Sequence, residues 1–468
     1  MKPIATRLLL VFVSMVVLLS CAATVSGVEP GFGERRPMIE VGDVGDILVS
    51  SEGFLEERLV MPGIISARLK DLAIGDSLRL AGWPVSPGDH RTISVKRRSV
   101  YASGARILEI GEHGSRELPR SKHRYFIGEI DGEPGSGVLV ILDPVSGRLT
   151  GLAMSDGESF DLAPVPGGSS SEVRVVATHE RTADADPHWA CGEEELDNPP
   201  VPTTRSIGLK NKAATKSGGP LDAVLAIDTD TELLSQKFSG NTSAATDYIA
   251  DLIAAMNVMY SRDLDVTLVQ GTTFLRTSSD PYSADSGSSA SSTELYEFRN
   301  YWSSNYGSVQ RALAALLSGK SPSSNSASGI AFLRGLCSTS SGYSFSKVFK
   351  INYLSGDAKL VGHEIGHNFG SPHTHCYSPP VDQCYSNEGG CYSGTESCPG
   401  GPGTVMSYCH ITGCGSTLDF HPTVINYILG NYVAPATGVC IFPATSADQI
   451  FTDGLESGGT GGWSSTTP

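Results

Sequence analysis

The chain has 468 residues, 34 of them basic and 50 acidic, for a formal net charge of −16. That balance favours solubility and argues against a nucleic-acid partner. Once an amino-terminal export signal is set aside, the length allows about two to three domains. No later apolar stretch is long enough to cross a membrane.

At the amino end, Lys2 and Arg7 precede an apolar run from Leu8 to Leu19. The run is too short and wrongly flanked for a spanning helix and reads as a signal segment over residues 1–27. Two processing readings stand open. Leu18-Leu19-Ser20-Cys21 resembles a bacterial lipobox, which would leave a lipid anchor at Cys21. Cleavage after a small residue near Gly27 would instead release the chain. The expected location is therefore secreted and extracellular, or membrane-anchored as a bacterial lipoprotein.

Residues 28–200 read as β-rich. Ile93 and Val95 alternate with polar neighbours, and Val138 to Leu142 is a buried-strand run. Asp131-Gly132, Ser146-Gly147 and Asp156-Gly157 mark turns between strands. Lys96-Arg97-Arg98 reads as a solvated strand edge. The region ends at Pro187-His188-Trp189-Ala190-Cys191-Gly192, ahead of a linker over 201–220.

A second domain is expected over 221–442. Ala223 to Ile227 reads as a buried strand, and about 242 to 261 as a long amphipathic helix. Strands are expected from Leu264 to Val269 and at Thr272 to Leu275, then a polar loop from Thr277 to Thr293. A helix is expected around 293 to 318, with Leu313, Leu316 and Leu317 on its apolar side. Gly329 to Leu333 reads as a strand bordering a cleft. Alternating strands and helices predict an α/β sandwich with a twisted, mostly parallel sheet. The Gly/Ser-rich tail, 443–468, is expected to stand apart from the core, either as a terminal signature resembling a sorting segment of exported bacterial proteins or as a plain disordered tail with one stray Trp463.

The chemistry concentrates in His363-Glu364-Ile365-Gly366-His367-Asn368-Phe369-Gly370-Ser371-Pro372-His373. On a helix, His363 and His367 stand one above the other, while Val361, Ile365 and Phe369 share an inward face. Gly370 suits a left-handed helix end that turns His373 back toward the pair. Three imidazoles leave a fourth tetrahedral position for water on a Zn2+ ion, whose pKa can fall to around 7. Glu364 is placed to take its proton.

Ten cysteines divide unevenly. Cys21 leaves with the signal or carries lipid. Cys337, Cys376, Cys384, Cys391, Cys398, Cys409, Cys414 and Cys440 are an even set able to form four disulfides in an oxidising compartment, with the pairing open. Without a Cys-x-x-Cys pair, a structural zinc site is rejected. Cys191 is left over, either as a thiolate ligand for zinc or as an unpaired or intermolecular cysteine. His375, His410 and His421 read as surface or packing residues.

The motif, together with Met406 in Thr404-Val405-Met406-Ser407-Tyr408, resembles the metzincin clan of zinc endopeptidases. The cysteine-rich segment and a terminal helix near Pro422 to Tyr432 bring it closest to the reprolysin, or adamalysin, branch. Two departures stand out. Thr374 follows the third histidine where reprolysins usually carry Asp, and Met406-Ser407-Tyr408 is more like astacins and serralysins. The resemblance implies a turn at Met406 beneath the metal, and Tyr408 either near the zinc in the transition state or packed. It also implies substrate pairing along Ile330, Ala331, Phe332 and Leu333, and a Cys191 resembling the cysteine switch of zymogens. A Ca2+ site is known in relatives, but no Asp-rich loop argues for one.

The expected function is a secreted zinc endopeptidase acting on protein or peptide substrates. It would be held latent by Cys191 until an activating protease or self-cleavage cuts between about 193 and 220. Arg205, Lys210, Lys212 and Lys216 offer basic sites there. The alternatives are a zinc hydrolase of non-peptide bonds and a catalytically silent adhesion or binding protein.

Overall fold

The strand Gly137–Leu142 is buried along its whole length because a different core covers each face. Val138, Val140 and Leu142 pack with Trp83, Ile93 and Phe126, whereas Leu139 and Ile141 join a core built around the helix Thr242–Leu264. Successive side chains of a strand point to opposite faces, so a strand caught between two cores must be apolar throughout. The computed structural model describes residues 38–40, 45–49, 55–155, 157–178, 190–191, 220–284, 289–321, 327–349 and 354–444. The expected export signal with Cys21, the basic sites of the linker and the sorting segment lie outside these residues.

The described part of the leading region forms a ten-stranded sheet whose middle is a run of antiparallel hairpins. Ile93 and Val95 are buried in its core. Lys96, Arg97 and Arg98 require a correction. Their strand, Asp89–Arg98, is paired on both sides and is no edge. Their side chains still reach solvent, because the sheet face there is only half covered.

The second sheet is mixed. We number its strands β1 Ile107–Gly111, β2 Gly114–Leu118, β3 Ala190–Cys191, β4 Leu221–Thr229, β5 Val266–Arg276, β6 Leu313–Ser318, β7 Ala327–Ala331, β8 Tyr343–Lys347 and β9 Ile441–Pro443. The order is β3-β7-β8-β6-β4-β5-β1-β2, with β9 beside β4. From β8 through β1 the neighbours run parallel, while β7 is antiparallel to β8 and β2 to β1. The sheet therefore draws strands from the leading region at both of its edges.

Three expectations change. The helix expected over 293–318 stops at Asn305. Leu313–Ser318 is instead the buried strand β6, with Leu313, Ala315 and Leu317 facing one core and Ala314 and Leu316 the other. A run with leucines on both faces does not distinguish a fully buried strand from helix by periodicity. Thr272 to Leu275 is not a separate strand, since β5 runs unbroken through eleven residues. The long helix is where the pattern put it, over Thr242–Leu264, capped by the Asn241 side chain.

Candidate metal centre

His363 and His367 lie on the helix Leu354–Asn368, with Val361, Ile365 and the following Phe369 fully buried on the inward side. The helix ends in a left-handed turn at Gly370, φ 103°. Gly370 N donates to His367 O at 2.8 Å, and Ser371 N to Gly366 O at 3.1 Å. A Cβ on Gly370 would also overlap the Tyr432 ring. Conformation and space both require glycine there, and the turn returns His373 to the pair.

The three Nε2 atoms converge: His367 Nε2 lies 3.1 Å from that of His363 and 3.2 Å from that of His373. Every Nδ1 is already engaged. His363 Nδ1 faces Val405 O at 2.6 Å, His367 Nδ1 faces Ser371 O at 2.7 Å, and His373 Nδ1 faces Glu388 Oε2 at 2.7 Å. Since those oxygens only accept, each Nδ1 carries its ring's hydrogen and each Nε2 presents a lone pair. Three converging lone pairs repel unless a cation lies among them. Tetrahedral zinc, with bonds of about 2.0–2.1 Å, spaces its ligands by about 3.3–3.4 Å, so the donor set fits that ion. Burial, reinforced by the neighbouring imidazoles, pushes His363 well down and His367 down to about 3, which favours the neutral, ligating form.

Glu364 is fully buried beside this cluster, its carboxylate packed against Gly329 of β7, where a Cβ would overlap it. Met406 is buried beneath the helix, its sulfur against Gly366. Thr374, in the place of the Asp usual in reprolysins, donates to Met406 O from both N and Oγ1, at 3.0 and 3.1 Å. The Tyr408 ring lies 4.3 Å from His373 and 5.5 Å from His375, packed among the imidazoles.

The strand beside Glu364 is Ala327–Ala331, so Ile330 and Ala331 lie in it while Phe332 and Leu333 follow it. Phe332 N still donates to Tyr343 O at 3.2 Å. Ala190 and Cys191 pair in parallel with this strand, opposite Ala327 and Gly329. The remaining eight cysteines form Cys337–Cys440, Cys376–Cys391, Cys384–Cys409 and Cys398–Cys414.

Sequence reasoning missed three contributors. Asn368 Nδ2 donates to Phe332 O at 2.7 Å and Tyr343 O at 3.0 Å, tying the helix end to β7 and β8. Glu388 accepts from His373 and also from His375, which is fully buried and, of the surface and packing readings, takes the packing one. Burial opposes the charge of Glu388, yet the two imidazoles hold its carboxyl well below the ordinary range. Nothing near Glu388 in sequence marks it out. Asn368 does stand inside the motif. His421, by contrast, caps the helix Pro422–Ile428, accepting from Thr423 N.

Residues 223–418 match the family model Reprolysin_5, metallo-peptidase family M12. Among solved structures, the chain is similar to metalloproteinase-II from Bacteroides fragilis, at 14% identity and a TM-score of 0.37, over 66% of this chain and 85% of that one. A chaperone–substrate complex is similar at 11% identity and a TM-score of 0.29, over 46% of this chain and 35% of that one. No curated protein matches the chain.

Proposed function

This chain is a metalloendopeptidase of the reprolysin type, its M12 domain spanning residues 223–418, and we propose that it is exported and made latent. In this reading His363, His367 and His373 hold one zinc ion and Glu364 is the general base. The convergence of three Nε2 atoms, each with its Nδ1 occupied by an acceptor, carries it. Zinc, when bound, supplies Lewis acidity that acidifies water and polarises the scissile carbonyl. Glu364 takes the proton from the attacking water and passes it to the leaving amine. Its buried place against Gly329 keeps bulk water from competing for that proton. Met406, with Val405 O on His363, supports the ligands from below. Tyr408 serves by packing, its ring against His373.

The substrate backbone would add to the outer edge of Ala327–Ala331 as a further strand. Support for latency comes from what pairs with that edge: Ala190 and Cys191, running parallel to it. In this reading the leading segment occupies the substrate's edge, and the Cys191 thiolate, as a ligand to the metal, completes the block. Cleavage between about 193 and 220 would then free the edge.

The test is peptide cleavage by the full chain before and after linker cleavage, with zinc quantified. Glu364→Gln should retain one equivalent of zinc and lose at least about 10²–10⁴-fold in rate. Cys191→Ala should cleave earlier than wild type. Full activity in Glu364→Gln would refute the assigned base, and unchanged latency in Cys191→Ala would refute the assigned switch.

A further inference from the structure

Each zinc-facing imidazole needs an acceptor for its Nδ1–H, and two of the three acceptors are backbone carbonyls. The third is a side chain, Glu388, from a loop beyond the motif. One oxygen, Oε2, accepts from His373 Nδ1 at 2.7 Å and from His375 Nε2 at 2.7 Å. His375 is fully buried and has no hydrogen-bond partner for Nδ1 among the described residues. That is the pattern of a neutral ring donating through Nε2, its bare Nδ1 needing no acceptor.

The loop bearing Glu388 is covalently closed. The disulfide Cys376–Cys391 begins one residue after His375 and ends three residues after Glu388. Tyr392 N donates to His375 O at 3.0 Å, closing the same ring by a hydrogen bond. His373, His375, Cys376 and Glu388 lie near enough together to suggest a second cation site. Cys376, however, is bonded to Cys391, and Glu388 Oε2 already accepts two N–H groups. The carboxylate acts through His373.

We infer that Glu388 is a positioning residue for the metal centre, and that the Cys376–Cys391 ring holds it there. The carboxylate selects the Nδ1–H tautomer of His373, fixes the ring's orientation and makes Nε2 a stronger donor. The inference rests on the three-histidine reading above.

The test measures zinc affinity of the full-length chain, stripped of metal and titrated against a chromophoric chelator. Glu388→Ala should weaken zinc binding about 10- to 100-fold. Glu388→Gln, which keeps an uncharged acceptor, should fall between it and wild type. The double variant Cys376→Ser/Cys391→Ser should weaken binding in the same direction. With Co2+ in place of zinc, Glu388→Gln should shift the visible absorption bands, which a packing role alone would leave unmoved. His373→Ala is the control for the site itself. Should His373→Ala lose affinity while both Glu388 variants bind as wild type with unshifted cobalt spectra, the inference is overturned and the three-histidine site stands. Should His373→Ala bind as wild type, the site reading fails first. Where Glu388→Ala does not fold, the Gln variant decides.

Discussion

Gly329 shows how finely one residue sets the chemistry. It is absent from the residues with positive φ, so its backbone would accept alanine. What forbids a side chain is the Glu364 carboxylate lying directly against it. Gly329→Ala should therefore move the proposed base while sparing the fold. A misplacement near 1 Å costs on the order of 100-fold in rate. We expect cleavage to fall by about that factor, with zinc content and melting temperature close to wild type. Parallel peptide kinetics and thermal unfolding check it, and full activity would mean that the carboxylate tolerates displacement. Glu364 and the three histidines could be read from spacing because helix periodicity and a short turn bring them together locally, whereas Met406, far along the chain, was legible only through the family resemblance. Glu388 could not, since only the path of a disulfide-closed loop brings it to His373.

Among the elements, the helix Thr242–Leu264 serves two partners. One side carries Met259 and Tyr260 into the core shared with the motif helix Leu354–Asn368, where Tyr260 donates to Gly362 O at 2.7 Å. Another meets the leading region: Asp251 pairs with His123 at 2.8 Å and accepts from Tyr125 at 3.0 Å, and Asp247 accepts from Ser121. Burial alone would lower His123, but the hydrogen bond and charge of Asp251, with Asp247 and Asp143 nearby, raise it above its ordinary value. A raised folded-state pKa means that the protonated pair stabilises the fold fully below the unfolded value of about 6.5. That contribution is lost as pH rises through the folded value. His123→Gln should thus lower the melting temperature most below about pH 6, with the gap from wild type closing toward alkaline pH. A gap independent of pH would show that the imidazole contributes by packing alone. The strand Leu313–Ser318 belongs to this scale too: its pattern alone was ambiguous, and pairing with β4 and β8 decided it.

At the scale of the whole molecule, further contacts bind the leading region to the part that carries the three-histidine motif. β1 extends the sheet beyond β5, in register from Thr273–Ile107 to Arg276–Ile110. Leu139, Ile141, Leu152 and Met154 enter the core around Thr242–Leu264. Ser355 donates to Asp161 at 2.8 Å from the first turn of the helix Leu354–Asn368. None of these involves residues 192–219, so a cut there leaves them intact. We expect the nicked protein to elute as one species under native conditions and to separate only in denaturant. Size-exclusion chromatography after limited proteolysis tests this, and separate elution of the two pieces in buffer would contradict it.

The sequence by itself brought His363, His367 and His373 together with Glu364 beside them, and it supplied the even set of cysteines and the long helix. These depend on contacts between residues near in the chain, or on periodicity that the chain carries wherever it folds. It also placed β7 within two residues, because an apolar run bounded by polar loops is a local signal. Tertiary structure decided the rest: which cysteine meets which, that Leu313–Ser318 is a strand, that Glu388 and His375 stand behind His373, and that the leading region supplies strands at both edges of the second sheet. Each depends on which distant segment covers a face or an edge. A strand's unpaired hydrogen bonds and a helix's bare apolar side state that something must cover them, but not what.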